Sequence, residues 1–201
     1  MKSKVLIALL AAATVSFGLN ARTAGDFFKD APQEIVRLIP QSTRLDMLDY
    51  FNYGSTRASE NFFGGPARIT ALTDARIALQ VDNGVGMQIA VIPRAKADTV
   101  IAVVTTLRVP MADSSIDFYD TSWRPLKKTP MALPQYADWL TKEGFENIET
   151  ISLHLPFMPV EAIVSDDGHT ITLANRASEY LTAAKAAEFA PWLVEKKDFN
   201  L

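Results

Sequence analysis

The chain has 201 residues, 48% hydrophobic and 21% charged, a composition typical of a globular protein rather than a disordered one. Its 20 basic and 23 acidic side chains give a net charge of −3 and form no basic block, which argues against a nucleic-acid partner. It contains no cysteine, which excludes disulfides, thiol nucleophiles, thiolate metal sites and lipid attachment through an N-terminal cysteine.

Residues 1–21 have the three-part pattern of a secretory signal peptide. Lys2 and Lys4 precede an unbroken apolar run at 5–13, and small or turn-forming residues follow it. A transmembrane helix needs about twenty apolar residues, more than this run supplies. We therefore expect a cleaved leader and no stable membrane anchor afterwards.

Cleavage is predicted after Gly18 or after Ala21, leaving residues 22–201 as a single exported domain. Loss of Lys2 and Lys4 makes that domain more acidic than the full chain. The expected location is the periplasm or cell envelope, or the medium outside the cell.

Two short amphipathic helices are predicted next. The first begins at Asp30, an acidic cap with a proline in the following turn, and Pro40 ends it. The second begins near Ser42 or Thr43, with Asp46 as a capping-box partner of Thr43, and Gly54 follows its end. The predicted apolar face of the second helix consists of Leu45, Leu48 and Phe51.

From residue 66 the hydrophobic pattern changes from a helical to an alternating period, which predicts strands. The predicted strands are 67–73, 75–81, 86–92, 100–109 and 116–119. Asp82-Asn83-Gly84 is a strong signal for a tight hairpin turn, and the run 100–104 is apolar on both faces, as in a central strand. Short strands with turns about every ten residues indicate an antiparallel meander.

The C-terminal third mixes both periods. A helix is predicted from Pro134 to Glu143, with Gly144 after its end, and a last helix from about Ser178 to Phe189. Strands are predicted at 148–153, 160–164 and 170–174. The sequence thus predicts an α+β fold: an antiparallel meander sheet, short N-terminal helices packed on it, and a C-terminal helix.

Common catalytic and phosphate-binding motifs are absent from the sequence, so catalytic residues cannot be assigned. Its two histidines are His154, predicted on a strand face opposite apolar neighbours, and His169, predicted in a solvated turn. Neither pattern is typical of a metal ligand or a general base. We expect no metal site and no cofactor.

The richest segment for recognition is 113–125. The candidate binding residues in this segment are Asp113, Asp117, Phe118, Tyr119, Asp120, Trp123 and Arg124. Aromatic residues and arginine are enriched at binding hot spots. The acids are three or four residues apart, which does not match the alternate-residue spacing of a calcium loop. The structural alternative is a strand with Ile116 and Phe118 facing inward and a turn that holds Trp123 at the edge of the core.

Several features in order along the chain resemble one known family. They are Phe27-Phe28 before Ala31-Pro32, the run 44–50, Gly64-Gly65 before a strand, Thr105-Thr106, and Phe118-Tyr119 before Trp123. This order is similar to a family from Bacteroidota known as domain of unknown function 3256. The resemblance implies an exported or envelope protein, and it carries no catalytic residues to transfer.

The favoured expectation is therefore a non-enzymatic module that binds an unknown ligand or protein of the cell envelope. The alternative is a glycan or peptide hydrolase that uses Asp113, Asp117 or Asp120 for proton transfer. A third hypothesis is a structural or assembly factor, for which an exposed apolar patch would be the sign.

Overall fold

The computed structural model describes residues 22–92 and 99–201, so the predicted signal peptide lies outside the described residues. The α-helices in this part of the chain are α1 (Ala24–Asp30), α2 (Gln41–Asn52), α3 (Lys142–Glu146), α4 (Ile148–His154), α5 (Ala177–Tyr180) and α6 (Ala183–Phe189). Short 3-10 helices lie at Tyr136–Trp139 and Ala190–Trp192. The strands of the large sheet are β1 (Ser59–Glu60), β2 (Pro66–Leu72), β3 (Arg76–Asp82), β4 (Val85–Ile92), β5 (Val100–Leu107) and β6 (Asp113–Tyr119). The strands of the small sheet are β7 (Val160–Val164), β8 (Thr170–Asn175) and β9 (Lys196–Asn200).

The fold is α+β, as predicted, and its large sheet is an antiparallel meander in the order β1 to β6. The small sheet is a second antiparallel meander, β7-β8-β9. β4 and β5 pair without interruption from Val85↔Leu107 to Ile92↔Val100. The first five residues of β5 are buried whichever way they face, which confirms the predicted central strand.

The two faces of the large sheet are covered by different elements. On the first face, α1 packs on β3 and β4, and α2 packs on β2. The core there contains Phe27, Phe28, Ile77, Ile89 and Ile101. On the second face, the small sheet packs over β4, β5 and β6, and both sheets contribute buried side chains to one core cluster.

The helix predicted from Asp30 to Pro40 is wrong. Asp30 ends α1, which starts seven residues earlier at a capping box formed by Thr23 and Asp26. Residues 32–39 form turns instead. The capping box upstream of Phe27 and Phe28 sets the start of the helix, and Asp30 lies in its last turn.

α2 is confirmed, but its predicted cap and apolar face are partly wrong. The helix begins at Gln41 after Pro40, before the predicted Thr43 cap. Leu45 is 53% exposed, whereas Arg44 is fully buried. The Arg44 guanidinium donates to the carbonyl oxygens of Phe28 and Ala31, to that of Ile39 and to the Gln33 side chain. Burial lowers the pKa of Arg44 from its ordinary value.

The helix predicted at 134–143 is a 3-10 helix followed by α3. Gly144 lies inside α3 rather than after it. Glycine is needed there because a Cβ would collide with the Trp192 carbonyl oxygen. The predicted strand 148–153 is helix α4. Ile151 and the C-cap residue Leu155, four residues apart, are buried, while Leu153 is exposed.

The predicted last helix is broken into α5 and α6, and the chain ends in strand β9 rather than in a helix. β9 pairs antiparallel with β8, from Thr170↔Asn200 to Ala174↔Lys196. It was missed because Phe199 is the only apolar residue among its five. Strands 160–164 and 170–174 are confirmed.

Candidate functional site

β6 carries most of the predicted recognition segment, and its side chains alternate between the two faces of the large sheet. Ser115, Asp117 and Tyr119 line a groove on the first face. Ser114 and Ile116 line a pocket on the second face, and the Asp113 carboxylate also lines it, since it accepts from the Val160 N–H. The sequence segment is therefore divided between two recesses that share a single strand.

The recess on the first face, which we call the β6 groove, has a volume of about 410 Å³. One wall is the turn segment 34–38, and the other is β6. The apolar floor between them consists of Val81, Val85, Met87, Val103 and Leu107. Since α1 and α2 lie over β2 to β4, this end of β5 is not covered by a helix.

Polar groups line the groove beside this floor. Asp117 is exposed on β6, and Arg37 lies on the opposite wall. Tyr119 is half-buried: burial raises the pKa of its hydroxyl, the Asp117 charge raises it further, and Arg37 lowers it. A tyrosine hydroxyl is already protonated at neutral pH at its ordinary pKa, so this one can donate a hydrogen bond to a ligand.

The recess on the second face, which we call the Trp139 pocket, has a volume of about 390 Å³. Its lining is mainly aromatic and aliphatic: Ile116, Leu133, Pro134, Tyr136, Trp139, Pro156, Phe157 and Met158. The Tyr136 hydroxyl donates to the Leu155 carbonyl oxygen at 2.7 Å, which fixes one aromatic wall. An apolar recess with few polar groups is a common form of ligand site.

The other candidate residues have structural surroundings. Phe118 is buried in the core on the second face, so its side chain does not reach a ligand at the surface. Trp123 has a positive φ of 64° and packs against Phe27 and Tyr119, with ring centroids at 6.1 and 5.7 Å. This placement agrees with the predicted position at the edge of the core. Arg124 is exposed in the same turn.

Three acids of the segment lie in three different surroundings. Asp113 accepts a hydrogen bond from the Val160 N–H at 3.0 Å, and Asp117 faces the β6 groove. Asp120 closes a turn: the N–H groups of Arg124 and Ser122 hold the pKa of its carboxyl below the usual value. They do not form the carboxylate pair in one cleft that glycoside hydrolysis uses.

The histidines also lie apart. His154 is in α4, not in a strand as predicted, and its ring packs near Phe189 at 5.8 Å. The His169 N–H donates to Asp167 in a turn. In residues 22–92 and 99–201, no three His, Asp or Glu side chains form a group suited to a metal ion.

Sequence reasoning missed a buried charge cluster centred on Glu161 of β7. Its carboxylate accepts from Arg108 at 2.8 Å and from Arg176, which also donates to Glu179. Burial alone would raise the pKa of Glu161, but the hydrogen bonds from Arg176 and Arg108 hold it below the usual value. No local signal connects residues so far apart in the chain.

Comparisons with known proteins agree with this architecture. The model of the family described as "Protein of unknown function (DUF3256)" matches residues 16–200. The chain belongs to this family. The DUF3256 chain also resembles the solved structure of a domain of an uncharacterized protein from Porphyromonas gingivalis W83. The two are 22% identical with a TM-score of 0.73, over 88% of this chain and 92% of that one. This likeness shows a shared fold.

No curated protein matches the sequence. Among the described helices of this DUF3256 protein, none has the length and apolar character needed to cross a bilayer.

Proposed function

We propose that this DUF3256 protein is an exported, non-enzymatic binding module of the cell envelope. It holds an apolar segment of a partner protein in the β6 groove. The observation that carries the proposal is the open end of that groove, where Leu107 is 57% exposed at the end of a strand whose first five residues are buried. Export rests on the signal-peptide pattern of residues 1–21.

The apolar surface extends beyond the groove on one side. The Phe62 N–H donates to the Leu38 carbonyl oxygen at 2.9 Å, and the Asn61 side chain donates to the Val81 carbonyl oxygen at 3.0 Å. Both acceptor carbonyls belong to residues that line the β6 groove, so the turn that contains Asn61 and Phe62 is held at the rim of this groove. Phe63, next in the turn, is 82% exposed.

A second apolar residue lies at the hairpin end. Val109 is 75% exposed. Its Cγ2 atom lies 3.2 Å from the position that a Cβ at Gly84 would take. Gly84 directly precedes Val85 of the groove floor. A contiguous exposed apolar surface bordered by polar groups marks an interaction site.

A partner protein fits this surface better than a small ligand, because exposed aromatic and aliphatic side chains continue outside the recess. Aromatic anchors at the centre of an interface supply much of its binding energy. Holding a partner segment is also how an assembly factor would act. The hydrolase alternative has no supporting observation, since the three acids of the segment lie apart.

The test uses residues 22–201 immobilised and exposed to envelope extract, followed by identification of the captured protein and measurement of its affinity. Leu107→Asp should weaken that affinity at least tenfold without changing the thermal unfolding midpoint. The matched control is Leu153→Asp on α4, where the wild-type side chain is 83% exposed, and its affinity should be unchanged. Equal affinities for both variants would remove the groove from the proposal.

Export has its own test. The N-terminus of the protein recovered from the envelope fraction of its host should begin at residue 19 or 22, as measured by mass spectrometry. A protein that still begins at Met1 in the cytoplasmic fraction would contradict it.

A further inference from the structure

The segment after β6 shows which backbone groups of this strand point away from β5. The Leu126 N–H donates to the Phe118 carbonyl oxygen at 2.9 Å, and Tyr119 forms an isolated antiparallel bridge with Pro125. The Phe118 backbone therefore faces away from β5. Since backbone groups alternate in direction along an antiparallel strand, Ser114 and Ile116 also face away from β5.

Beyond the β5 ladder, Ser114 and Ile116 make no backbone hydrogen bond to any residue that the structure describes. Their two N–H and two C=O groups form an open strand edge. The bridge at Tyr119 shows that this same edge accepts an antiparallel segment one step further along.

The Trp139 pocket lies beside this open edge. Ser114 and Ile116 line one side of the pocket, and Leu133, Pro134 and Gln135 line another. A strand added to the edge would direct alternate side chains to the two faces of the large sheet. The side chain opposite Ile116 would face the pocket, and its neighbours would face the β6 groove.

We propose that the edge of β6 binds an extended segment of the partner as an added antiparallel strand, with an apolar side chain in the Trp139 pocket and basic side chains opposite Asp113 and Asp117. This proposal rests on the proposed binding function and specifies the form in which the partner is held. Main-chain hydrogen bonds would give affinity, and the pocket would give specificity.

Charge selects a basic partner strand over a second copy of the chain. Asp113 and Asp117 are both exposed at the two ends of the open edge, and one Asp113 carboxylate oxygen accepts from the Val160 N–H. Pairing Ser114 with Ile116 of a second copy would place Asp113 opposite Asp117 twice. Like charges directly opposite each other on paired strands are destabilising, whereas basic side chains at the same positions are favourable.

The probe is the peptide KLTVKT-NH2, which in antiparallel register places its lysines opposite Asp113 and Asp117 and its leucine opposite Ile116. It ends before Phe118, where Leu126 already pairs. Amide hydrogen exchange of the 22–201 protein is measured by NMR with and without the peptide. Without it, Ser114 and Ile116 should exchange quickly, while Ser115 and Asp117, which face β5, should exchange slowly. Saturating peptide should slow Ser114 and Ile116 at least tenfold.

Two matched controls separate strand pairing from other binding. The same peptide with its edge-facing amides N-methylated should bind at least tenfold more weakly, because it lacks the donors. Asp117→Lys should weaken the lysine peptide and strengthen one with glutamates in place of lysines. Thermal unfolding of the variant checks that the fold is retained.

Three results would overturn the proposal: no peptide binding, equal binding of the N-methylated peptide, or slow exchange of Ser114 and Ile116 in the free protein. Concentration-dependent protection of the same amides, together with a dimer in sedimentation, would assign the edge to a second copy instead. If the peptide does not bind while Leu107→Asp still weakens partner binding at least tenfold, strand addition is refuted and the groove function stands.

Discussion

The outer edges of β6 and β7 differ in how their backbone groups are satisfied. Side chains of the large sheet fill the edge of β7: Gln88 donates to the Ala162 carbonyl oxygen at 3.0 Å and accepts from the Val164 N–H at 3.1 Å. The Ser114 hydroxyl accepts from the Ala162 N–H at 3.0 Å. No such side chain reaches the backbone of Ser114 and Ile116 among the described residues.

The difference explains why β6 is polar. Asp113 and Ser114 protect the edge of the neighbouring sheet while their own strand stays open. Proteins usually block exposed edges, because an unpaired strand is a template for another chain. A fold that closes one edge with side chains and leaves the adjacent one open retains a place for a partner strand.

Gln88→Leu opens the edge of β7 and should have the largest effect on stability. The variant leaves the Ala162 carbonyl and the Val164 N–H buried without partners, which should lower the free energy of unfolding by about 3 kcal/mol. Urea unfolding of the 22–201 protein measures the change. The control is Gln80→Leu on β3, where the side chain is half-buried and makes no hydrogen bond to a described residue. Its stability should lie within about 0.5 kcal/mol of wild type. Equal losses would show that Gln88 does not close the β7 edge.

Glu161→Gln tests the charge cluster that holds β7 against the loop after β5. Removing the charge leaves Arg108 and Arg176 without their shared carboxylate and should cost about 2 kcal/mol at pH 7, since both arginines are partly exposed. Urea unfolding at several pH values measures it.

The pH dependence follows from the pKa of Glu161, which is lower in the folded chain than the ordinary 4.5. Its contribution is therefore fully present above pH 4.5 and is lost as pH falls through the folded-state pKa. Wild type and Glu161→Gln should converge in stability in strong acid. A difference that stayed constant with pH would assign the loss to packing instead.

Ser114→Ala should have the smallest effect on stability, and it tests whether the edges of β6 and β7 are independent. It removes the acceptor of the Ala162 N–H and the partner of the buried Thr106 hydroxyl, at a cost of about 1.5 kcal/mol in urea unfolding. Exchange of the Ile116 amide should not change, because the β6 edge does not use the hydroxyl. A slower Ile116 amide in this variant would indicate that the two edges are coupled.

The parts of the fold that could be predicted from sequence carry their signal locally. Alternation and the turn at Asp82-Asn83-Gly84 predicted β3 and β4 to within about a residue. α4 was assigned to a strand because its short apolar run fits either period. β9 lacks an apolar run, since it lies at an edge and pairs through its backbone.

The candidate site was only half visible in the sequence, for a similar reason. Asp117 and Tyr119 were found because they lie in a segment rich in acids and aromatics, and both line the groove. Arg37 and Leu107 reach the same groove from distant segments, so only tertiary structure brings them there. A strand at this position predicts that Ser114 and Ser115 face opposite sides of the sheet. It does not predict that a recess lies on each side.

The buried Arg44 has a consequence for the order in which the N-terminal region folds. Its guanidinium, carried by α2, satisfies carbonyl groups at the end of α1 and in the turns that follow, including those of Ala31 and Ile39. The Ile39 carbonyl also accepts from the Gln33 side chain, whereas the Ala31 carbonyl accepts from no other described residue and is satisfied only when α2 docks. Residues 24–52 thus form one cooperative unit, and hydrogen exchange should show their amides opening together rather than fraying helix by helix.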